Sequence, residues 1–366
     1  MKINFTNLYK LTPEKNKIFK KINYLIKKNQ FIGGEEVVKF ETEFSKFTRS
    51  KYCVSVANGT DALILAIKAL KLKNGSEVIV PVNTWIATAE AVLASGLNLI
   101  FCDVDLNDYS MDLNDLKKKI TPKTKLIVPV HLYGNPTNVT KIKKIINKKN
   151  IKIVEDCAQA HGSRIKKRHV GTFGDIGTYS FFPGKNLGCF GDGGAIITNN
   201  KKYYEFILRA RNHGALNKYD HKFPGQNSRL DTIQAAILRI KLKNYKKVLN
   251  KRNILANIYN KNLKKNKSIV LFNLKKNYKS CYHQFVIRTN KRNNLQKFLK
   301  SKKISTMIHY PYMLNELKFF KYKNKLPNAF NLGKKIISLP ISEEHSIKEI
   351  LYICKQINIF FKKNNK

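Results

Sequence analysis

Between Lys51 and Asn199 the chain alternates short apolar runs with amphipathic stretches. The runs YCVSVAN, SEVIVP, LNLIFCDVD, TKLIVPVHLYG and IKIVED are nearly continuous in hydrophobic residues and end on polar ones, as strands buried on both faces do. Between them DALILAIKALKL, ATAEAVLASG and VTKIKKIINKKN repeat apolar residues at helical spacing. Strand–helix–strand repetition of this kind predicts an α/β domain with a mostly parallel central sheet. GTYSFF and GGAIITN predict two further short strands. Ligands of such sheets gather at the carboxyl ends of strands, where Asn58, Asn83, Asp103, His131 and Asp156 fall. Beyond about Arg229, LDTIQAAILRIKLKNYKKVLNKRNILANIYNKNL predicts one long helix. After it come a strand in CYHQFVIRT, a helix in NNLQKFLKSK, a loop at HYPYMLNE and a terminal helix. The expected organisation is a large α/β domain over residues 1–245, including an N-terminal segment, and a smaller α+β domain over residues 246–366.

Composition narrows the class. A chain of 366 residues with 43% hydrophobic and 11% aromatic content is globular, not disordered. No run has the length of a membrane span, and even AEAVLASGLNLIFC is interrupted by Glu, Ser, Gly and Asn. The N-terminus lacks the apolar core of a signal peptide, so a soluble, cytoplasmic protein with no membrane partner is expected. The 6 cysteines stand singly, without a CxxC pair, and read as reduced, buried thiols. The histidines do not cluster and no metal site is expected. A formal charge of +46 suits a nucleic-acid binder on its face value. However, the lysines are spread over the whole chain in the company of asparagine, which reads as a coding bias on solvated surfaces. No specific nucleic-acid partner is expected, although the charge favours encounter with small anionic substrates.

One lysine breaks the pattern. In SFFPGKNLGCFGDGGA, Lys185 sits among aromatics, glycines and a proline, with no other basic residue in the stretch. A dry setting lowers a lysine pKa toward the neutral, nucleophilic form. The same stretch also suits a glycine-rich hairpin with a solvent-facing lysine. The stretch IVEDCAQAHGS weighs against the hairpin alone, because Asp156 ends a buried strand, where an unpaired carboxylate is costly. The ring nitrogen of pyridoxal phosphate would supply the missing cation, and Gln159 could face the ring hydroxyl. Asp156 as a helix cap is the competing reading. A phosphate cradle is available where the strand ending near Asn58 meets a helix beginning near Asp61. There Gly59 and Thr60 offer backbone N–H groups and a hydroxyl, and Ser180 a second hydroxyl; Thr60 would serve equally as the helix N-cap. Trp85, the only tryptophan, could stack on a flat ring or pack in the core.

In order, NGTDAL, TWIATAEA, VPVHLYGNP, VEDCAQAHGS, GDIGTYSFFPGKNLGCFGDGGAIITN, NSRLDTIQAAIL and IHYP resemble the DegT/DnrJ/EryC1/StrS family. These are pyridoxal-phosphate-dependent aminotransferases of nucleotide-activated keto sugars with the type I (aspartate aminotransferase) fold, and the resemblance runs from about Gln30 into the C-terminal domain. It implies that Lys185 is the Schiff-base lysine and general acid/base, Asp156 the partner of the pyridinium nitrogen and Gln159 that of the ring hydroxyl. Gly59, Thr60 and Ser180 would hold the phosphate, and Trp85 would stand at a stacking position usually filled by Phe or Tyr. Asn227 is expected to reach the cofactor phosphate of a neighbouring subunit, which implies a homodimer with shared active sites. Arg229, His309 and Tyr310 are candidate sugar-nucleotide contacts. Relatives that dehydrate sugars carry histidine in place of Lys185, so the lysine implies transamination from glutamate. FPGKNLG followed by GDGGA resembles the enzymes that aminate C3, in particular those making dTDP-3-amino-3,6-dideoxyhexoses. Enzymes of UDP-3-keto-GlcNAc-uronic acid share NSRLD and IHYP, and C4 enzymes more often read HPxK with GEGGA.

Overall fold

The structure, a computed structural model, describes residues 2–147, 149–322 and 324–363. Two helices, α1 (Lys15–Lys27) and α2 (Glu35–Thr48), precede the alternating region. It then runs β1 (Tyr52–Val56), α3 (Gly59–Ala69), β2 (Glu77–Pro81), α4 (Ala87–Ala94), β3 (Asn98–Cys102), α5 (Leu113–Lys119), β4 (Thr124–Ile127), α6 (Val139–Ile145) and β5 (Lys152–Asp156). A small hairpin, β6 (Arg164–Ile165) and β7 (Arg168–His169), leads to β8 (Ile176–Ser180), β9 (Gly194–Thr198) and α7 (Lys201–Ala210). The long α8 (Thr232–Leu263) follows, then β10 (Val270–Leu271), β11 (Tyr278–Lys279), β12 (Phe285–Arg288), α9 (Arg292–Ser301), α10 (Pro327–Lys335), β13 (Ile336–Leu339) and α11 (Ile347–Lys363).

The central sheet has seven strands in the order β1-β9-β8-β5-β4-β2-β3. Strand β9 is antiparallel to both of its neighbours, while the pairs β8–β5, β5–β4, β4–β2 and β2–β3 are parallel. This is the mostly parallel α/β sheet that the apolar runs predict. The runs are continuous because both faces are covered: Val78, Ile79 and Val80 of β2 are all fully buried. Each such side chain contributes about 1.5–3 kcal/mol relative to an exposed one. A three-stranded antiparallel sheet, β10-β12-β13, forms a second core with α9, α11 and the end of α8.

Helix α8 serves both cores. Its first half packs Ala235, Leu238 and Tyr245 against Phe40, Phe44 and Phe181. Its second half packs Leu255, Ala256, Tyr259 and Leu263 beside Ile287, Leu339 and Ile353. A division of the chain at residues 245/246 would fall inside this helix. No helix among the described residues is long and apolar enough to cross a membrane. All six cysteines are buried and free.

Candidate active site

The carboxyl ends of β5 and β8, the start of α3, the loop after β2 and the segment after α9 converge on a cavity of about 490 Å3. Gly59, Thr60, Trp85, Asp156, Gln159, Ser180, Lys185, His309 and Tyr310 all line it. Asn227 and Arg229 do not. Asn227 is exposed, and Arg229 donates from Nη1 to Asn212 Oδ1 at 2.9 Å, leaving its buried Nε without a protein partner.

The local sequence explains the cradle. Helix α3 is capped by Asn58, whose Oδ1 accepts from Asp61 N at 2.8 Å; Thr60, the other capping candidate, lies inside the first turn. The N-terminal amides of α3 therefore face the cavity beside the end of β8. Glycine is required at this crossing: a Cβ on Gly59 would stand 2.6 Å from Ser180 Cβ, and one on Gly194 2.3 Å from the Asn58 carbonyl oxygen.

Lys185 lies in the loop joining β8 to the antiparallel β9, so the hairpin reading is right about the backbone. The side chain, however, is half-buried in the cavity wall. Lys185 N donates to Phe182 O at 2.8 Å, and Cys189 N to Phe181 O at 2.8 Å, which folds the loop back on itself. Burial lowers the Lys185 pKa to about 8, with the Asp156 carboxylate opposing the shift. A neutral amine is the nucleophile, so apoprotein should take up pyridoxal phosphate faster as pH rises through about 8, with a plateau above. Stopped-flow absorbance across pH 6–10 checks this; a rate that climbs only near pH 10 would place the lysine in an ordinary aqueous setting.

Asp156 is buried, and no helix follows it to be capped. Its Oδ2 accepts from Thr88 Oγ1 at 2.8 Å and its Oδ1 from Ala158 N at 3.0 Å. Among the described residues it forms no ion pair. A buried carboxylate that lines a cavity with no cation in direct contact suits a ligand that brings one. Thr88 holds it from α4, with Thr84 Oγ1 3.0 Å from Thr88 Oγ1. Thr88→Val keeps the shape and removes this charge-assisted hydrogen bond. It should lower kcat about tenfold, with a circular-dichroism melting temperature within a few degrees of wild type.

Gln159 joins two elements. Its Oε1 accepts from Tyr133 N at 2.8 Å and its Nε2 donates to Tyr310 Oη at 3.0 Å. Tyr133 Oη in turn donates to the His309 carbonyl oxygen, and His309 Nδ1 lies 2.9 Å from Ser338 Oγ. His309 and Tyr310, two of the three candidate sugar contacts, are thus tied to Gln159 and Tyr133. Burial first, and Lys185 second, push the His309 pKa down to about 4, so the ring is neutral near pH 7. Trp85 is 59% exposed on the rim, its ring 5.7 Å from that of Tyr310, and is not a core residue.

Sequence reasoning missed several residues of this wall. His283 Nδ1 lies 2.9 Å from Asn186 Oδ1, the neighbour of Lys185, and burial with nearby cations holds its pKa well below the usual value. His161, outside the lining and packed against the Tyr179 and Phe181 rings, is held to about 3 by burial and then by Lys185. Both therefore stay neutral near pH 7. His131, Glu155 and Cys157 bring ligand atoms within 4.8 Å of one another, but they are engaged elsewhere. Glu155 accepts from Gly171 N, Gly174 N and His131 Nε2, His131 Nδ1 accepts from Thr137 N, and burial keeps Cys157 protonated. The trio braces β5 and the turns before β8. Asp103, at the end of β3, likewise braces α10, accepting from Asn328 N and Ala329 N.

Residues 13–358 match the DegT/DnrJ/EryC1/StrS aminotransferase family. The chain belongs to that family. It is therefore a pyridoxal-phosphate-dependent sugar aminotransferase with the type I fold, and the geometry above fits the cofactor: a buried carboxylate without an ion pair, a lysine depressed toward neutrality and a glycine-floored helix N-terminus. It is 38% identical, over 94% of each chain, to a UDP-N-acetyl-3-dehydro-alpha-D-glucosamine 3-aminotransferase of Acidithiobacillus ferrooxidans. It is also 38% identical to a dTDP-3-amino-3,6-dideoxy-alpha-D-galactopyranose transaminase of Aneurinibacillus thermoaerophilus, over 92% of this chain and 93% of that one. Among solved structures, S. venezuelae DesV in complex with a ketimine intermediate superposes with a TM-score of 0.95 at 33% identity, covering 98% of both chains.

Proposed function

We propose that this family member transfers the amino group of glutamate to C3 of a nucleotide-linked 3-keto hexose, with a dTDP-3-keto-6-deoxyhexose as its substrate and the dTDP-3-amino-3,6-dideoxyhexose as product. The observation that carries the reading is agreement on position 3: both relatives described above are named for amination there, although they differ in nucleotide. The presence of Lys185 favours transamination over dehydration. A UDP-linked 2-acetamido-3-keto sugar is the second reading, favoured by the equal identity to the UDP-sugar enzyme.

Lys185 Nζ would carry the cofactor, and Asp156, fixed by Thr88 and the Ala158 amide, would hold its ring nitrogen. Gly59, Thr60 and Ser180 would take the phosphate, and Gln159 would face the ring hydroxyl. Pyridoxal phosphate supplies an electron-accepting ring that spreads the charge left when a C–H bond beside the amine breaks. With a pKa near 8, the displaced Lys185 amine is about one-tenth neutral at pH 7. It can therefore take a proton from one carbon and return it to another, serving glutamate and sugar half-reactions in turn. Trp85, His309 and Tyr310 form the rim where the sugar nucleotide would enter.

The reading includes a homodimer in which Asn227 and Arg229, outside this chain's own cavity, serve the partner's site. It also includes a cytoplasmic setting, supported by six buried free thiols. Holoenzyme incubated with glutamate and a panel of dTDP- and UDP-linked 3-keto and 4-keto sugars tests it by product mass. Amination of the dTDP 3-keto sugar at the highest kcat/KM is expected. Preference for a UDP sugar selects the second reading, and turnover of 4-keto sugars alone contradicts both.

A further inference from the structure

A second cavity, of about 840 Å3, shares no lining residue with the active site. It is bounded by the end of α2, by α6, by the β6–β7 hairpin and by the turn that starts β11. Its wall carries Arg49, Lys141, Lys144, Lys166, Lys167 and Arg168, and neither aspartate nor glutamate. None of these six forms an ion pair among the described residues. The chain-wide lysine bias explains exposed lysines on helices. It does not explain why six cations converge on one concavity, nor why Arg168 among them is held in place.

Arg168 is fixed by hydrogen bonds from Nε to Thr172 Oγ1 at 3.1 Å and from Nη2 to Thr172 O, with its guanidinium 4.5 Å from the centre of the Phe173 ring. Arg49 caps the end of α2 in the left-handed region, with φ 60°. Burial and the Arg49 charge together lower the pKa of the neighbouring Arg164. His169, in the same wall and 1% exposed, has no protein partner at either ring nitrogen. Burial first, then Arg164 and Arg49, push its pKa down to about 3. The neutral imidazole keeps two ring nitrogens free for hydrogen bonds beside unpaired cations, a setting that an entering anion would complement.

We propose that this cavity binds a polyphosphate-bearing anion, the class that includes inorganic triphosphate and nucleoside di- and triphosphates. Guanidinium and ammonium donors both favour phosphate oxygens, and cations distributed over a space this size match several phosphates better than one. The site is independent of the sugar-amination reading.

Isothermal titration of the full-length, cofactor-loaded protein at fixed ionic strength tests this with tripolyphosphate, ADP, pyrophosphate and sulfate. One tripolyphosphate per chain is expected, without change in cofactor absorbance, and with sulfate roughly tenfold weaker or more. Lys141→Glu/Lys144→Glu, both exposed on α6, should weaken binding by roughly tenfold. Lys166→Glu/Lys167→Glu, on the hairpin turn, should do the same. ADP tighter than pyrophosphate identifies a nucleotide ligand, and equality identifies free polyphosphate; both support the site. Affinity within twofold of wild type in both variants would overturn it. So would many weak sites that track ionic strength alone, or saturable duplex-DNA binding lost in these variants without any polyphosphate binding.

Discussion

Lys185→Ala is expected to abolish transamination, with a loss of about 10^4-fold or more. On the proposed roles two functions would leave together: the covalent tether of the cofactor and the proton carrier between the two carbons. His283 and His309 line the same cavity and His161 packs against Tyr179 and Phe181, yet none of the three can substitute. Burial holds the first and third near pKa 3 and 4 and the second well below its usual value, so near neutral pH they are neither charged nor suitably basic. Removing Lys185 also deletes the charge that lowers all three. Their values should rise in the variant, which NMR titration of labelled histidine would detect. The variant should still fold, because the loop is set by backbone hydrogen bonds around Phe181, Phe182 and Cys189 and not by the amine. Single-turnover measurement of pyridoxamine phosphate formation with glutamate checks the loss; a residual rate within a hundredfold of wild type would assign the proton transfer to another group.

Asp156→Asn should cost activity on the order of 10^2–10^3-fold, the scale of removing one preorganised electrostatic partner from a low-dielectric site. The stability of the apoprotein should move the other way or not at all. The carboxylate is buried without a direct ion pair, so a neutral isostere relieves its desolvation at the cost of a longer-range attraction to Lys185, while Thr88 can still donate to the amide oxygen. Lys185 should also fall below its wild-type value of about 8, because Asp156 is the charge that raises it. A kcat loss with an unchanged or higher apoprotein melting temperature is the expected pair of readings. A kcat within threefold of wild type would separate Asp156 from the cofactor nitrogen.

Much of this was legible in the residues. The five apolar runs from YCVSVAN to IKIVED became strands β1 to β5; all but the edge strand β3, half-open over Asn98–Ile100, are buried nearly throughout, and strands covered on both faces need no alternation to declare themselves. Lys185 declared itself by contrast with the polar lysines around it. The two N-terminal helices carry a weaker local signal: in α1, KNKIFKKINYLIK, lysines crowd the stripe and only Ile18 and Leu25 are buried, while in α2 the buried face mixes Val37, Phe40 and Phe44 with Glu36 and Thr48. The hairpin β6–β7 has two residues per strand and takes its third strand, β11, from a segment more than a hundred residues later, which no local pattern reveals. The same applies to the site. Gln159 meets Tyr310, and Asp156 meets Thr88, across gaps that only the fold closes. Asn58 rather than Thr60 caps α3, a choice between adjacent polar residues that depends on which one keeps an extended backbone; Asn58 has φ −163°.

The central claim is that one ε-amino group, at position 185, carries the cofactor. Borohydride reduction of the holoenzyme followed by peptide mass mapping tests it directly. The account predicts a single phosphopyridoxyl adduct, on the peptide that spans Phe181 to Gly194, and none in Lys185→Ala. An adduct on any other of the chain's lysines, or no adduct in a protein that still transaminates, would contradict it.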